Sequence, residues 1–422
     1  MPTVNRQLQF TGIIVAIGLS YIMSQFYRTS NGVIIKELAQ EFGLSPIALG
    51  TLTGIFFISF ALAQIPLGML FDRFGVRYTL PIILIAAIAG ALIFATANGF
   101  FGLLVGRLMM GLGVSCVLVG AMFLFGRWVS ADRYATWLGR MIALGGIGVL
   151  LSTSPLGVIT ETIGWRYAFF SAGAITALGA VLIYLLVRDT PPDYEKQSNS
   201  PEGLRDSVGG VIEVFRTKNL PTVMIMAFAS YPVLTSILGL WGAAYMTDVY
   251  DYNTVQSGNV LLLMAIGLIV GHIVFGPLER VLDSRKWLVF GAATTVLICF
   301  IILSLISHLP VQIVITLLVI ISFFSAYNIV IAGHGRALFP DRLAGRGMAM
   351  LAIALMGGPA IVQFLTGFIM DAFPSENGVA PVEAYRAVFG CLAGIILISV
   401  IAYLRIPDAR PSKGFSVDQK VR

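Results

Sequence analysis

The sequence predicts an all-α integral membrane protein with twelve transmembrane helices in two six-helix halves. Of its 422 residues, 57% are hydrophobic and 11% are charged, whereas a soluble globular domain is about one-quarter charged. Apolar segments of about 20 residues recur along the chain, and each is long enough to cross a hydrocarbon core of about 30 Å. A polar gap in the middle of the chain separates two sets of six such segments.

The segments follow one another with short loops between them. Segments one to six begin near Phe10, Ala48, Tyr78, Phe101, Leu138 and Tyr167, and segments seven to twelve begin near Pro221, Gln256, Trp287, Pro310, Arg346 and Ala384. Residues 1–187 are predicted to form an N-terminal six-helix bundle and residues 221–406 a C-terminal one. Residues 188–220 are predicted to be a cytoplasmic linker, and residues 407–422 a cytoplasmic tail.

Part of the linker has a helical pattern. Its apolar residues at i, i+3, i+4 and i+7 are Val208, Val211, Ile212 and Phe215. This stripe predicts a short helix on the inner membrane surface. A solvated tether is the alternative, because the rest of the linker is rich in Pro, Ser and charged residues.

Lysine and arginine predict the orientation. If the N-terminus is cytoplasmic, the outer segments hold only Lys36, Arg166 and Arg386, and the membrane holds Arg28 and Arg107. The rest of the 27 lysines and arginines lie in inner segments. Because basic residues concentrate on the cytoplasmic side, we expect a multi-pass protein of the plasma (inner) membrane with both termini in the cytoplasm.

The two halves resemble each other in sequence. The loop from Gly68 to Arg77 has a degraded counterpart that begins at Gly276, and the pair Trp165–Arg166 recurs as Tyr385–Arg386. A repeat of this kind predicts the same helix arrangement in both halves, and it carries no information about the substrate.

Arg28 is the first candidate for solute binding. Tyr21, Gln25 and Arg28 fall at i, i+4 and i+7 of segment one and therefore share a helix face. A charge at the bilayer centre costs about 2.5–3.5 kcal/mol even on insertion scales, so Arg28 should face a water-filled cavity or a partner. A planar guanidinium suits bidentate binding of an anion. The alternative is an arginine that snorkels to the outer interface.

Arg107 in segment four is the second buried cation. It either contacts the solute or donates a hydrogen bond to the backbone of a neighbouring helix. The C-terminal half has no matching cations, since Ser236 and Ile315 occupy the equivalent positions, so neutral contacts are expected there. The candidates, each with packing as its alternative, are Trp241, Tyr327, Asn328 and Gln363, with Tyr231 and Tyr245 beside them.

The charge pattern within the membrane favours an anionic solute. All 21 acidic residues lie in loops or at helix ends, which leaves two buried arginines without a buried carboxylate. His272 in segment eight is the candidate protonation site, with a packed neutral histidine as the alternative. The three cysteines have no metal-ligand spacing, and no nucleophile–base pair or phosphate loop is present. No catalytic residues, metal or cofactor are therefore expected, and an enzyme is disfavoured.

Two motifs resemble those of the major facilitator superfamily of transporters. Residues 68 to 77 read Gly-x-x-x-Asp-Arg-x-Gly-x-Arg, and Arg107 is followed by Gly111 and Gly113. The residues around Arg28 and the stretch Ala63–Gly68 look like the anion:cation symporter branch. This resemblance implies that Arg28 binds the substrate anion. Tyr27 stands where many members of that branch have an acidic residue.

The resemblance also implies a latch on the cytoplasmic side. Its expected members are Gly68, Asp72, Arg73, Gly75 and Arg77, together with Asp132 and Arg133. Asp72 would lie near the start of segment eleven, around Arg346, where a helix N-terminus favours a carboxylate. The alternative is that these charges only fix the membrane topology.

The predicted function is secondary active transport of a small anionic solute, either an organic acid or an inorganic anion, by alternating access. A drug or metabolite efflux antiporter is the alternative, and a non-transporting membrane sensor is a third interpretation. The expected partners are the anionic solute, the lipid bilayer and a coupling ion, for which H⁺ and Na⁺ both stay open. No nucleic acid is expected, and a monomer is predicted.

Overall fold

A computed structural model describes residues 2–191, 220–337, 339, 344–375 and 378–413. The first part of the chain forms α1 (Pro2–Thr29), α2 (Asn31–Phe42), α3 (Pro46–Phe74), α4 (Val76–Ala95), α5 (Phe100–Val114), α6 (Val117–Trp128), α7 (Ala131–Leu151), α8 (Ser154–Thr162) and α9 (Trp165–Leu186). The second part forms α10 (Leu220–Ser236), α11 (Gly242–Tyr250), α12 (Thr254–Val281), α13 (Arg285–Leu305), α14 (Val311–Ser325), α15 (Asn328–Arg336), α16 (Ala344–Asp371) and α17 (Val382–Tyr403). A π-helical turn, Ile237–Trp241, joins α10 to α11.

These helices supply 12 segments that are long and apolar enough to cross a membrane, six before residue 192 and six after residue 219. The predicted fold class is therefore confirmed. The first apolar run, predicted as one span from about Phe10 to Ile34, is interrupted: α1 ends at Thr29, and residues 31–42, which include the start of the expected loop, form α2. The proposed interfacial helix at residues 208–215 lies outside the described residues.

Two equivalent spans are each broken near their middle. The fourth span breaks at Ser115–Cys116, between α5 and α6, and the tenth breaks at Ala326–Tyr327, between α14 and α15. Polar side chains satisfy freed backbone groups at the first break, where Gln64 Nε2 donates to the Ser115 carbonyl oxygen at 2.9 Å. Irregular backbone at membrane depth is tolerated only where such partners or a cavity are present.

Arg166 and Arg386, the arginines of the sequence repeat, donate hydrogen bonds to carbonyl groups at equivalent helix C-termini. Arg166 Nη2 donates to the carbonyl oxygen of Ala97 at 3.3 Å, just beyond α4. Arg386 Nε donates to the Ser304 carbonyl oxygen at 2.8 Å, and its Nη2 donates to that of Leu305 at 3.0 Å, at the end of α13. Cations are favourable at helix C-termini, so the sequence repeat corresponds to a repeated structural contact.

Contacts group the described chain into two compact units. Unit 1 consists of Met1–Ser198 and Leu238–Leu262, and unit 2 consists of Asn199–Ile237 and Leu263–Arg422. The boundary falls at the π-helical turn within the seventh span. Division of the chain at residues 187, 220 and 406 stays a prediction.

Candidate functional site

One face of α1 packs closely on α7. A side chain at Gly145 would collide with the ring of Tyr21, and one at Gly148 would collide with the Ile22 carbonyl oxygen. Tyr21 is 4% exposed and Gln25 is half-buried. Small residues allow helices in membranes to approach closely, and here they bring the predicted polar stripe of α1 against α7.

Arg28 is buried against α3. Its side chain is 8% exposed, and its Cζ atom lies 4.7 Å from the ring centroid of Phe60. A cation over an aromatic face gains about 0.5–2 kcal/mol, with more when the site is desolvated. The protein therefore holds this guanidinium at an aromatic surface, one turn beyond Gln25.

Arg107 is fully buried on the same aromatic surface. Its Cζ atom lies 4.7 Å from the centroid of Phe56, and the rings of Phe56 and Phe60 stack with centroids 6.3 Å apart. Nη1 donates to the Tyr27 carbonyl oxygen at 2.6 Å, and Nε donates to that of Leu52 at 3.5 Å. This geometry is the backbone hydrogen bond that stood as the alternative to solute contact. Among the described residues, Nη2 has no hydrogen-bond partner.

Arg107 connects to Arg28 through the backbone. The carbonyl oxygen that Arg107 binds belongs to Tyr27, the residue directly before Arg28. The Tyr27 hydroxyl is in turn hydrogen-bonded to Thr176 of α9 at 2.9 Å. The end of α1 is thus fixed by α5 and α9, and both guanidinium groups lie on one pair of stacked rings. We call Arg28, Arg107, Phe56 and Phe60 the arginine–phenylalanine cluster.

The neutral candidates divide between the two units. In unit 2, Gln363 is fully buried, and its Nε2 donates to the Thr235 carbonyl oxygen at 3.4 Å. Asn328 Oδ1 lies 3.2 Å from His272 Nε2. Tyr327 is 1% exposed and sits at the break between α14 and α15. Trp241, by contrast, lies in the π-helical turn and belongs to unit 1, where it is 2% exposed.

Several buried polar side-chain atoms of unit 2, two of them on the candidates Gln363 and Tyr327, have no hydrogen-bond partner among the described residues. They include Gln363 Oε1, Ser236 Oγ, Ser322 Oγ and the Tyr327 hydroxyl. A buried polar group without a partner costs free energy, so such groups are candidates for contacts with water or a bound solute. All four are neutral.

The predicted latch is described only in part. Gly68 lies within α3, and Gly75 ends that helix with φ of +75°. Arg73 is exposed, and its Cζ atom lies 5.2 Å from the ring centroid of Phe74. The side chains of Asp72 and Asp132 lie outside the described part, and Arg133 is exposed at the start of α7. The latch stays a prediction.

Arg77 makes a hydrogen bond and a cation–π contact within unit 1. Its Nε donates to the Tyr184 carbonyl oxygen at 3.1 Å, and its Cζ atom lies 5.7 Å from the Tyr184 ring centroid. Asp189, which was not among the predicted site residues, caps the N-terminus of α4. Asp189 Oδ1 accepts hydrogen bonds from the backbone N–H groups of Val76 at 2.6 Å and Arg77 at 3.1 Å.

Unit 2 repeats this cap. Asp408 Oδ1 accepts a hydrogen bond from the Lys286 backbone N–H at 3.0 Å, at the start of α13. A carboxylate at a helix N-terminus satisfies free N–H groups and complements the helix dipole. The signal in the sequence was an aspartate shortly after the last span of each half. No group of three potential metal ligands occurs in the described part of the chain.

Comparison with known proteins gives the family. The profile of the Major Facilitator Superfamily (MFS_1) matches residues 17–334 and 258–421. The chain is 23% identical to a hexuronate transporter from Bacillus subtilis, over 92% of this chain and 94% of that protein. It is 30% identical to the nitrate/nitrite transporter NrtP from Picosynechococcus, over 45% of this chain and only 41% of that protein.

Solved structures agree on the fold. A bacterial homologue of the human lysosomal transporter Spinster superposes with a TM-score of 0.75 at 18% identity, over 94% of this chain and 96% of that one. At this identity the likeness concerns the fold alone. The family match confirms the predicted resemblance and a transporter in place of an enzyme. The chain belongs to the Major Facilitator Superfamily of membrane transporters.

Proposed function

We propose that this protein is a secondary active transporter that moves a small anionic solute across the plasma (inner) membrane by alternating access, with both termini in the cytoplasm. The orientation follows from the lysines and arginines, which concentrate in the loops assigned to the inner side. Solute binding is assigned to Arg28, with Tyr21 and Gln25 as neutral partners on the same face of α1.

The observation that carries this proposal is the arginine–phenylalanine cluster. Arg28 and Arg107 are 8% and 0% exposed; each lies over an aromatic ring, and Arg107 also donates to a backbone carbonyl oxygen. Aromatic rings and carbonyl groups carry no net charge, so these contacts do not neutralise the guanidinium groups. A positive potential in a low-dielectric region attracts an anionic counter-ion. The relatives named as hexuronate and nitrate/nitrite transporters agree with an anionic solute.

The test is thermal stabilisation of the purified protein by a panel of carboxylates, sugar acids, phosphate, nitrate and sulfate. A bound anion at 100 times its Kd stabilises the folded state by about 2.7 kcal/mol, which raises Tm. We expect at least one anion to raise Tm, and Arg28→Ala to abolish that rise.

Arg140→Ala is the matched control. Arg140 is an exposed arginine of unit 1 whose Cζ atom lies 4.6 Å from the Trp137 ring centroid, so this variant loses the same charge away from the cluster. It should respond to the anion as the wild type does. Stabilisation by lipophilic cations with no response to anions would contradict the proposal and would favour efflux.

A further inference from the structure

A cavity of about 150 Å³ lies within unit 1, between α2 and the segment Leu238–Leu262. It is outside the arginine–phenylalanine cluster. Its polar lining includes Lys36, Glu37, Thr247, Asn253, Thr254 and Ser257. The ammonium group of Lys36 forms an ion pair with Asp248, whose side chain is 2% exposed. The cation beside the cavity is therefore already matched by one carboxylate.

Glu37 lines this cavity with a carboxyl group, and only one of its two oxygens has a hydrogen-bond partner among the described residues. Its Oε1 accepts a hydrogen bond from Thr254 Oγ1 at 2.6 Å. Its Oε2 is buried and has no hydrogen-bond partner among the described residues. An ionised carboxylate with a buried, unpaired oxygen is costly, whereas the protonated form is neutral. The surroundings therefore favour a proton on Glu37.

The charged groups around Glu37 come from three helices. Lys36 lies beside it on α2 and pairs with Asp248 of α11, and Glu161 of α8 accepts a hydrogen bond from the Val255 backbone N–H at 3.0 Å. Glu37 lies outside the membrane-spanning segments. Burial raises the pKa of Glu37 and the charge of Glu161 adds to this, while the Thr254 hydrogen bond and Lys36 act in the opposite direction.

Glu41, one turn along α2, shows the contrast. Its carboxylate binds Arg166 through two hydrogen bonds, of 2.5 and 3.0 Å, and accepts a third from Trp165 Nε1 at 2.9 Å. These bonds, chiefly those from Arg166, lower the pKa of Glu41. Two glutamates on one short helix thus have opposite environments, and only Glu37 borders the cavity.

We propose that Glu37 is a proton-binding site that holds α2 against Leu238–Leu262: a proton occupies Glu37 while the two are packed and leaves when they separate. The proton enters from water and returns to water, and no other bond changes. Separation exposes the carboxyl group and restores its ordinary pKa. The packed arrangement therefore binds more protons, so low pH stabilises it, and this stabilisation is lost as pH rises through the raised pKa.

Glu37 would thus make a proton a second ligand of the transporter, in addition to the anionic solute. The proposal depends on the proposed function in two respects. It takes this end of unit 1 to lie at the outer face of the membrane, and it takes separation of α2 from Leu238–Leu262 to be a step of transport. Proton binding at Glu37 would then link closure of that face to the external pH. The experiment below needs neither a solute nor transport, so its failure is distinguishable from a failure of the anion panel.

The test uses Ser257→Cys as a reporter. Ser257 is 1% exposed, and its hydroxyl lies 3.2 Å from Thr247 Oγ1 at the cavity, so a thiol there reacts with a charged maleimide only after separation. Alkylation is measured from about pH 5 to about pH 8 with Glu37 and with Glu37→Gln, a neutral mimic of the protonated form. Both proteins carry the same cysteine, so the ratio of their rates cancels the titration of the thiol itself. Protein without Ser257→Cys gives the background from Cys116, Cys299 and Cys391.

We expect the ratio of the two rates, Glu37 protein over Glu37→Gln, to rise from about pH 5 and level off above the raised pKa, with a total increase of about tenfold for each unit by which the pKa is raised, measured from the low-pH limit. Glu41→Gln, which removes a negative charge from the same helix outside the cavity, should keep the pH dependence of the Glu37 protein. A rate ratio that stays constant across this range would overturn the proposal. So would carbonyl infrared spectra near pH 5 in which Glu37→Gln removes no band of a protonated carboxyl group.

Discussion

Two arginines share one pair of phenylalanine rings in unit 1. Arg28 lies over Phe60 and Arg107 over Phe56, each at 4.7 Å. Carboxylates would hold the arginines more strongly but would cancel their charge. Aromatic faces stabilise each guanidinium through the ring quadrupole and add no charge of their own. This difference is why the cluster suits attraction of an anion.

Phe60→Leu tests the aromatic support of Arg28. The variant keeps an apolar side chain and removes the ring, at a cost of about 0.5–2 kcal/mol in cation–π energy. We expect the Kd of the stabilising anion to rise by about threefold to thirtyfold, since 1.4 kcal/mol is tenfold. Calorimetric titration of the purified protein measures this change.

Phe71→Leu is the control for lost packing. Phe71 is also buried on α3, where its ring centroid lies 6.1 Å from that of Phe123. Its Kd should stay close to that of the wild type. Equal Kd values for Phe71→Leu and Phe60→Leu would show that the aromatic contact of Arg28 contributes nothing to anion binding.

At the scale of helices, α1 is positioned by its close approach to α7. Gly148 meets the Ile22 carbonyl oxygen and Gln25 Cβ, so that even a methyl group would collide with the backbone of α1. Backbone atoms cannot rotate away as the end of a side chain can. The distance between these helices, and with it the position of the polar stripe, depends on this glycine.

Gly148→Ala should therefore lower the stability of unit 1. Overpacking costs about 1–3 kcal/mol, and we expect a lower Tm together with weaker anion binding. Gly139→Ala is the control on the same helix, because a side chain at Gly139 would meet no atom within 4 Å. Its Tm should be unchanged or slightly higher, because alanine favours the helix. A Tm of Gly148→Ala at or above that of Gly139→Ala would contradict the close contact.

The spans could be predicted from sequence, but their breaks could not. A run of about 20 apolar residues suffices to predict a crossing. The break at Ser115–Cys116 contains neither proline nor an exposed polar patch, and it is stabilised by Gln64 from another helix. Likewise, the polar residues Arg28 to Asn31 indicate an interruption of the first span, but they do not indicate that a second helix, α2, starts directly at Asn31. Such features depend on tertiary contacts that periodicity does not report.

At the scale of the whole molecule, the family and the sign of the buried charge could be predicted, while the partners of each charge could not. The motifs at Gly68–Arg77 and Arg107 predicted the superfamily, which the family match confirms. The stacking of Arg28 and Arg107 on adjacent turns of α3 required the structure, although the spacing of Phe56 and Phe60 placed both rings on one helix face. The unpaired Glu37 oxygen was not predicted, because the sequence predicts a loop at Glu37 where the structure has a helix.

Uptake of an anion into proteoliposomes tests the central claim most directly. The anion that stabilises the purified protein is supplied outside vesicles that contain wild type, Arg28→Ala or Arg140→Ala, and uptake is followed over time. We predict uptake above that of empty vesicles with wild type and Arg140→Ala, and a loss of at least about tenfold with Arg28→Ala, because a planar anion-binding guanidinium is removed. Equal uptake by Arg28→Ala and wild type would contradict the account.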